Sequence, residues 1–92
     1  MEQNMTETQV RDAVAEGKLV FEKMGLEGDI KTIWDPSKLV EVSEARAQFE
    51  RLTEDERYRA YKVLDGGDQG EPMEEFDARA GRVIFVPPFQ GG

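Results

Sequence analysis

The chain of 92 residues is 38% hydrophobic and 35% charged, a balance typical of one small globular domain rather than of a membrane protein or a disordered tail. It contains no cysteine and no histidine, which excludes disulfides and thiolate metal sites and removes the usual general base near neutral pH. Its net charge of -8 repels nucleic-acid phosphates and favours neutral or basic protein partners. We therefore expect a non-enzymatic protein with no cofactor, no metal site, no direct nucleic-acid contact and no membrane insertion.

The first predicted element is a helix that begins after Thr6. Thr6 and Gln9 have the spacing of a capping box, in which each side chain accepts a hydrogen bond from the other residue's backbone. Apolar or small residues then recur at helical spacing on one face. They are Val10, Ala13, Val14, Gly17, Phe21 and Met24. Gly25 stands where a left-handed C-terminal cap belongs, so the helix is predicted to continue through Gly17 and to end at Gly25.

A short strand and a second helix are predicted next. The strand covers residues 30–34, and Asp35-Pro36 follows it with a good helix cap and a favoured first helical residue. The apolar stripe of the helix consists of Val42, Ala45, Phe49 and Leu52. Its charged outer face consists of Glu41, Glu44, Arg46, Glu50 and Arg51. This amphipathic pattern predicts a helix that packs on a sheet.

Three further strands are predicted towards the C-terminus. Residues 53–56 could cap another helical turn, whereas residues 58–64 are rich in strand formers. A glycine-rich turn at 65–70 leads to a short edge strand at 73–76, and the last strand covers 82–86. The order of elements is typical of an α+β fold: a small three- to four-stranded sheet with two helices on one face, the first helix being N-terminal.

No pattern in the sequence designates a catalytic residue. The glycine-rich segment 66–70 lacks the lysine and the hydroxyl residue of a phosphate-binding loop. The acidic groups at 54–56 and 74–77 lack the alternating ligand spacing of a calcium loop and are more simply solvated surface. The aromatic residues are expected to fill the core rather than to stack on bases, because the surrounding charge is negative.

The end of the sequence is the predicted partner-binding site. Pro87 and Pro88 follow the last strand directly, and two prolines stop a sheet and stiffen the chain into an extended path. Phe89 lies beyond them, where the domain has little left to bury it. Gly91 and Gly92 carry no side chain that would obstruct a narrow groove. These five residues are therefore predicted to project from the domain and to be bound by another protein.

A strand that leads into Pro87, Pro88 and a final diglycine resembles the C-terminus of the ubiquitin-like sulfur carriers, such as the small subunit of molybdopterin synthase. In that family a ubiquitin-activating type enzyme adenylates the terminal glycine carboxylate, which is then converted to a thiocarboxylate. The resemblance implies that Gly92 is the carrier residue and that Gly91 helps it to enter the activating site. It also implies a β-grasp fold, which begins with a β-hairpin, whereas the elements predicted here begin with a helix.

A longer resemblance, over about residues 29–92, is to small uncharacterised proteins of tailed-phage genomes. It is carried by Ile33-Trp34-Asp35, Glu44-Ala45-Arg46-Ala47-Gln48-Phe49, Tyr61, Gly70-Glu71, Glu75-Phe76-Asp77 and the tail. That family has no established activity, so the resemblance implies a setting: a virion component, an assembly factor or an inhibitor of a host protein. Residues 1–28 fall outside the resemblance and are interpreted as an N-terminal helix that serves as a docking extension to a compact domain at 29–92.

These observations lead to one main hypothesis and two alternatives. The main hypothesis is a non-enzymatic phage protein, a small virion structural or accessory component. It docks on capsid or tail proteins, or on copies of itself, through its C-terminal tail and N-terminal helix. The first alternative is a sulfur carrier or protein modifier activated at Gly92, and the second is an acidic inhibitor of a host protein. The expected location is the virion or the host cytoplasm, since the N-terminus lacks the pattern of an export signal.

Overall fold

The structure, a computed structural model, describes residues 6–25, 29–63 and 70–88. Its helices are α1 (Glu7–Ala15) and α2 (Leu39–Glu50), and a π-helical turn (Arg51–Asp55) extends α2. Its strands are β1 (Leu19–Lys23), β2 (Ile30–Trp34), β3 (Arg59–Lys62), β4 (Pro72–Met73) and β5 (Arg82–Val86). The predicted α+β class with an N-terminal helix is confirmed, and the sheet has five strands rather than three to four.

Helix α1 begins where the sequence predicts and ends much earlier. The backbone N–H of Gln9 donates to the Thr6 hydroxyl at 3.1 Å, and the N–H of Thr6 donates to Gln9 Oε1 at 2.9 Å, which completes the capping box. Gly17 ends the helix with a φ of +85°, a conformation that suits glycine. The N–H that follows it donates back to the Ala13 carbonyl at 2.9 Å, as in a Schellman motif. The prediction that the helix continues to Gly25 was therefore wrong.

The segment after Gly17 is strand β1, although Phe21 and Met24 continue the helical spacing of α1. Leu19, Val20 and Phe21 are all buried, because β1 is covered on both of its faces. A continuous apolar run of this kind is typical of an interior strand. The helical spacing was misleading, since an apolar residue that suits one face of a helix also suits one face of a strand.

The strand order in the sheet is β2-β1-β5-β3-β4. β1 pairs antiparallel with β2, with Val20 opposite Ile33, and parallel with β5, with Phe21 opposite Val83. β3 pairs antiparallel with both β5 and β4. The last strand thus occupies the middle of the sheet, and β1, which lies within residues 1–28, pairs along its length with two strands from the rest of the chain.

β1 and β2 form an opening β-hairpin, which the predicted order of elements lacked. α2 follows this hairpin and packs on one face of the sheet, and β5 inserts between β1 and β3, parallel to β1. α1 precedes this hairpin in the chain. The hairpin was missed because a single helix was assigned to the residues of both α1 and β1.

The two helices pack on opposite faces of the sheet, so the prediction that both lie on one face was wrong. Side chains alternate along a strand, and Phe21 and Val20 of β1 therefore point to different faces. Phe21 belongs to the main core with Phe49 of α2, whereas Val20 belongs to a smaller cluster with Val10 and Ala13 of α1. Because both faces of β1 are buried, the sheet needs a helix on each side of this strand.

Phe85 of β5 lies in the main core and is fully buried. Its ring centroid is 4.9 Å from that of Phe21 and 5.8 Å from that of Phe49, in edge-to-face contacts. Trp34 joins this cluster through Phe21 at 5.8 Å, and Phe76 joins it through Phe49 at 5.9 Å. β5 therefore connects the hairpin to α2 through one continuous set of aromatic contacts.

The other strands agree closely with the prediction. β2 and β5 have the predicted bounds, and β3 lies within the predicted 58–64. β4 is Pro72–Met73 rather than 73–76, and it lies at the edge of the sheet, where the missing N–H of proline is tolerated. The predicted glycine-rich turn at 65–70 lies outside the described residues except for Gly70.

Helix α2 begins at Leu39, later than Asp35-Pro36 predicts. Asp35 Oδ1 accepts hydrogen bonds from the backbone N–H of Ser37 at 3.0 Å and from its hydroxyl at 2.7 Å, so Asp35 stabilises a tight turn. Lys38 is then the N-cap and makes no side-chain cap. The predicted start was wrong because an aspartate side chain can stabilise a turn as well as a helix start.

Candidate partner-binding site

The predicted partner-binding residues begin where β5 ends. Pro87 and Pro88 follow Val86 directly, and both are exposed. Phe89, Gly91 and Gly92 lie outside the described residues, and their role stays a prediction. The tail therefore starts from the central strand of the sheet, and its first two residues are at the surface.

The strand that carries the tail is held on both sides up to its last residues. On the β1 side, the N–H of Met24 donates to the Phe85 carbonyl at 3.0 Å. On the β3 side, Arg59 is opposite Val86 in the register. Pro87 has no N–H with which to extend either ladder, so pairing stops at Val86. The core thus fixes the position from which the tail leaves.

Basic residues lie around this point, although the protein is acidic overall, and one of them, Lys23, is paired with Glu56 Oε1 at 3.9 Å. Lys23 and Arg59 are the register partners of Phe85 and Val86, and Arg57 lies two residues before Arg59. Both arginines are exposed. A partner with acidic groups beside the tail would be attracted here, whereas the net charge of the protein would repel it from most other surfaces.

Arg57 has a left-handed backbone conformation, with a φ of +62°. It ends the π-helical turn, and the N–H of Tyr58 donates to the Leu52 carbonyl at 2.8 Å. A residue with a side chain costs about 1–2 kcal/mol in this conformation, which glycine adopts freely. The chain therefore keeps a strained arginine near the base of the tail, where glycine would be more stable.

Large apolar side chains are exposed on β2 and on the first turn of α2. Ile30 and Ile33 are each 41% exposed, Leu39 is 86% exposed and Val40 is 70% exposed. β2 stands at the end of the strand order, so no strand of the described residues pairs with its outer edge. Exposed apolar residues beside an unpaired edge are typical of a surface that binds another chain. This surface was not predicted, and its signal in the sequence is that Leu39 and Val40 lie outside the apolar stripe of α2.

Arg82, the first residue of β5, connects α1 to the sheet through two carboxylates. Its guanidinium donates to Glu22 Oε1 from Nη2 at 2.6 Å and from Nε at 3.2 Å, and to Glu7 of α1 from Nη1 at 2.6 Å. The Glu22 side chain is 7% exposed and that of Glu7 is 53% exposed. Burial disfavours the charged guanidinium, but the hydrogen bonds to Glu7 and Glu22 outweigh it and raise the pKa of Arg82. This network connects α1 to the sheet, in addition to the packing of Val10 and Ala13 on Val20.

Asp35 organises the junction between β2 and α2. The hydrogen bonds from the hydroxyl and the N–H of Ser37, followed by the contact with Lys18 Nζ at 3.3 Å, lower the pKa of Asp35 from 3.8 to about 2. The N–H of Asp35 donates to Glu41 Oε1 at 2.8 Å. These contacts fix the end of β2 and the start of α2, and hence the positions of the exposed apolar residues.

Within residues 6–25, 29–63 and 70–88, no group of three or more histidine, cysteine or acidic residues is arranged to hold a metal ion. No helix in that part of the chain is long and apolar enough to cross a membrane. Comparisons of the chain with protein-family models, with curated proteins and with solved structures found no match. Two surfaces therefore stand out as candidates for function: the base of the tail and the outer edge of β2.

We expect the Arg82→Met variant to lose about 3–5 kcal/mol of unfolding free energy, because Glu22 would stay buried without its cation. The Glu7→Gln variant should lose about 1 kcal/mol or less, since exposed ion pairs contribute little. Replacing both buried partners, Arg82→Met with Glu22→Met, should recover most of the loss. Urea denaturation measures these free energies. Equal losses for Arg82→Met and Glu7→Gln would contradict the role given to the buried pair.

We expect the Asp35→Asn variant to be less stable than the wild type at neutral pH, and the difference to shrink in strong acid. A carboxyl whose pKa in the folded state is about 2, below its ordinary 3.8, stabilises the fold above pH 3.8, and this contribution is lost as the pH falls through about 2. Thermal unfolding of both proteins over a series of pH values measures the difference. A difference that stays constant through the acid range would show that the pKa of Asp35 is not lowered.

Proposed function

We propose that the protein is non-enzymatic and acts by binding other proteins through its C-terminal tail, with α1 as a second contact. The observation that carries this proposal is that the tail continues directly from the central strand and is exposed at Pro87 and Pro88. A tail with a fixed starting point and a restricted backbone has less conformational entropy to lose when it is bound. Most side chains of α1 are exposed, which supports its use as the second contact.

The setting that we propose is a tailed phage, in which the protein is a small structural or accessory component of the virion. The resemblance over residues 29–92 supports this setting. The partners are then capsid or tail proteins, or further copies of the chain. The basic residues at the base of the tail support a partner that has acidic groups around the groove for the tail.

We expect the protein to co-purify with phage particles and to lose this association when residues 87–92 are deleted. The deletion should leave the unfolding free energy nearly unchanged, because the described part of this segment is exposed. Phe89→Ala should weaken the association more than its neighbour Gln90→Ala, because aromatic anchors dominate many interfaces. Quantitative immunoblotting of purified particles measures the association. Particles without the wild-type protein, or with undiminished amounts of the deletion variant, would contradict the proposal.

The strand order supports a second candidate, a sulfur carrier or protein modifier activated at Gly92. The opening hairpin, α2 and a central last strand that leads into the tail are features of the β-grasp fold that the sulfur-carrier resemblance implies. In this function the Gly92 carboxylate attacks the α-phosphate of ATP and pyrophosphate leaves. Hydrosulfide from the sulfur donor then attacks the acyl carbon of the adenylate and AMP leaves, which produces a thiocarboxylate. The activating enzyme supplies the chemistry, and this chain supplies a tail that is narrow enough to reach it.

For the carrier function, incubation with ATP, a sulfur donor and host extract should raise the intact mass by the difference between sulfur and oxygen, or add a conjugated protein. Mass spectrometry of the untreated protein also shows whether Gly92 carries the free carboxylate that this function needs. The matched control is a chain with one residue added after Gly92, whose mass should not change. An unchanged mass of the wild-type chain would remove this candidate and leave the first proposal standing.

A further inference from the structure

The outer edge of β2 presents backbone groups that have no partner among the described residues. In β1, the N–H groups of even-numbered residues point towards the β5 side. The N–H of Val20, for example, donates to the carbonyl of Gly81, just before β5, at 2.7 Å, so the odd-numbered residues bond towards β2. Phe21 is opposite Thr32 in that antiparallel ladder. Thr32 therefore bonds to β1, and its neighbours Lys31 and Ile33 direct their N–H and C=O groups away from the sheet.

This free edge has a defined end. Beyond Ile33, the outward N–H of Asp35 donates to Glu41 Oε1 at 2.8 Å, and the Asp35 carbonyl accepts from the N–H of Lys38 at 3.1 Å. Within β2 (Ile30–Trp34), the outward groups are therefore those of Lys31 and Ile33, one on each side of the central residue, Thr32. The outward N–H and C=O groups are thus placed symmetrically about Thr32. A second β2 strand that runs in the opposite direction presents matching acceptors and donors to them.

We propose that two copies of the chain associate through this edge, with their β2 strands antiparallel and Thr32 of one copy opposite Thr32 of the other. Lys31 of each copy then lies opposite Ile33 of the other, and each of these pairs exchanges two backbone hydrogen bonds. The interface is isologous, because one two-fold axis relates the two strands. The two sheets join into one continuous sheet.

The apolar side chains at the edge are covered in this register. On one face, Ile30 lies opposite Trp34 of the second copy. On the other face, Ile33 lies opposite Lys31, whose aliphatic stem can cover it while the ammonium group stays in water. Both isoleucines are 41% exposed in the single chain, so the pairing removes apolar surface that the fold itself leaves uncovered.

The bonded groups of Asp35 and the charge of Lys31 disfavour the two neighbouring registers. The Lys31 ammonium lies diagonally across from Asp35 of the second copy, within the reach of a long side chain, whereas Asp29 lies directly opposite that Asp35 and repels it. Pairing centred on Lys31 would place two ammonium groups directly opposite each other. Pairing centred on Ile33 would need the N–H and C=O groups of Asp35, which are already bonded. Because each copy carries a net charge of -8, these contacts oppose a general repulsion, and we expect a reversible dimer.

A single cysteine tests the register, because the chain has none of its own. Directly opposite residues in a non-hydrogen-bonded pair have Cα atoms about 4.5 Å apart, which is within the range of a disulfide. Thr32→Cys should therefore cross-link two copies under mild oxidation. Ile33→Cys and Ile30→Cys are the matched controls. Each control residue is more than about 7 Å from the same residue of the second copy. We therefore expect the control variants to cross-link at least about tenfold more slowly than Thr32→Cys.

Analytical ultracentrifugation tests the association itself. Ile33→Glu brings a carboxylate into the interface and should weaken the dimer by about tenfold or more. Val40→Glu adds the same charge to an exposed apolar residue outside the interface and should have a much smaller effect. A chain without residues 87–92 should dimerise like the wild type, which separates this inference from the binding of the tail.

Three results would overturn the inference. The first is a wild-type chain that remains monomeric at its highest soluble concentration. The second is an equal effect of Ile33→Glu and Val40→Glu, which would indicate general charge repulsion rather than an interface. The third is faster cross-linking of Ile33→Cys or Ile30→Cys than of Thr32→Cys, which would indicate a different register or random collision.

Discussion

The insertion of β5 between β1 and β3 is the constraint on which the rest of this structure depends. On one face of β5, Phe85 contacts Phe21 of β1 and Phe49 of α2, so the main core is closed only when the last strand is in place. At the start of β5, Arg82 binds Glu7 of α1, and this exposed ion pair adds to the packing of α1 on Val20 of β1. One strand therefore contacts both helices.

This central position limits what the protein can offer to a partner. Arg82 and its buried partner Glu22 are 60 residues apart, so the pairing of β5 with β1 closes a long loop at an entropic cost that burial must offset. Withdrawing β5 would leave β1 and β3 with unpaired edges and would expose Phe21. A partner therefore cannot take the last strand without unfolding the domain, and at this end of the chain only the residues beyond Val86 are available to it.

Local signals in the sequence predicted the elements that depend on local interactions. The capping box of Thr6 and Gln9 was correct because its atoms lie within one turn of helix. The predicted end of α1 was wrong, because a glycine such as Gly17 can lie inside a helix or end one. The choice at Gly17 is made by the two strands that pair with β1, and these are distant in the sequence. The faces of the sheet on which α1 and α2 pack depend on the same pairing.

One part of the candidate site could be predicted from local sequence, and the other part depends on the order of strands in the sheet. Pro87 and Pro88 could be predicted to end the sheet, because proline cannot extend a ladder wherever the strand lies. The exposure of Ile30 and Ile33 could not be predicted, because it depends on β2 being an edge strand. The alternation of residues within one strand predicts which residues share a face but not the position of the strand in the sheet.

The topology also determines how a dimer would present its two tails. β5 is parallel to β1 and therefore antiparallel to β2. The two-fold axis of this dimer passes between the two Thr32 residues, perpendicular to the sheet. It relates each strand of one copy to a strand of the other copy that runs in the opposite direction. The two β5 strands would then run in opposite directions, and the two tails would leave from opposite ends of the joined sheet. Such a dimer could not place both tails in neighbouring grooves of one partner to gain avidity, but it could connect two partners on either side of it.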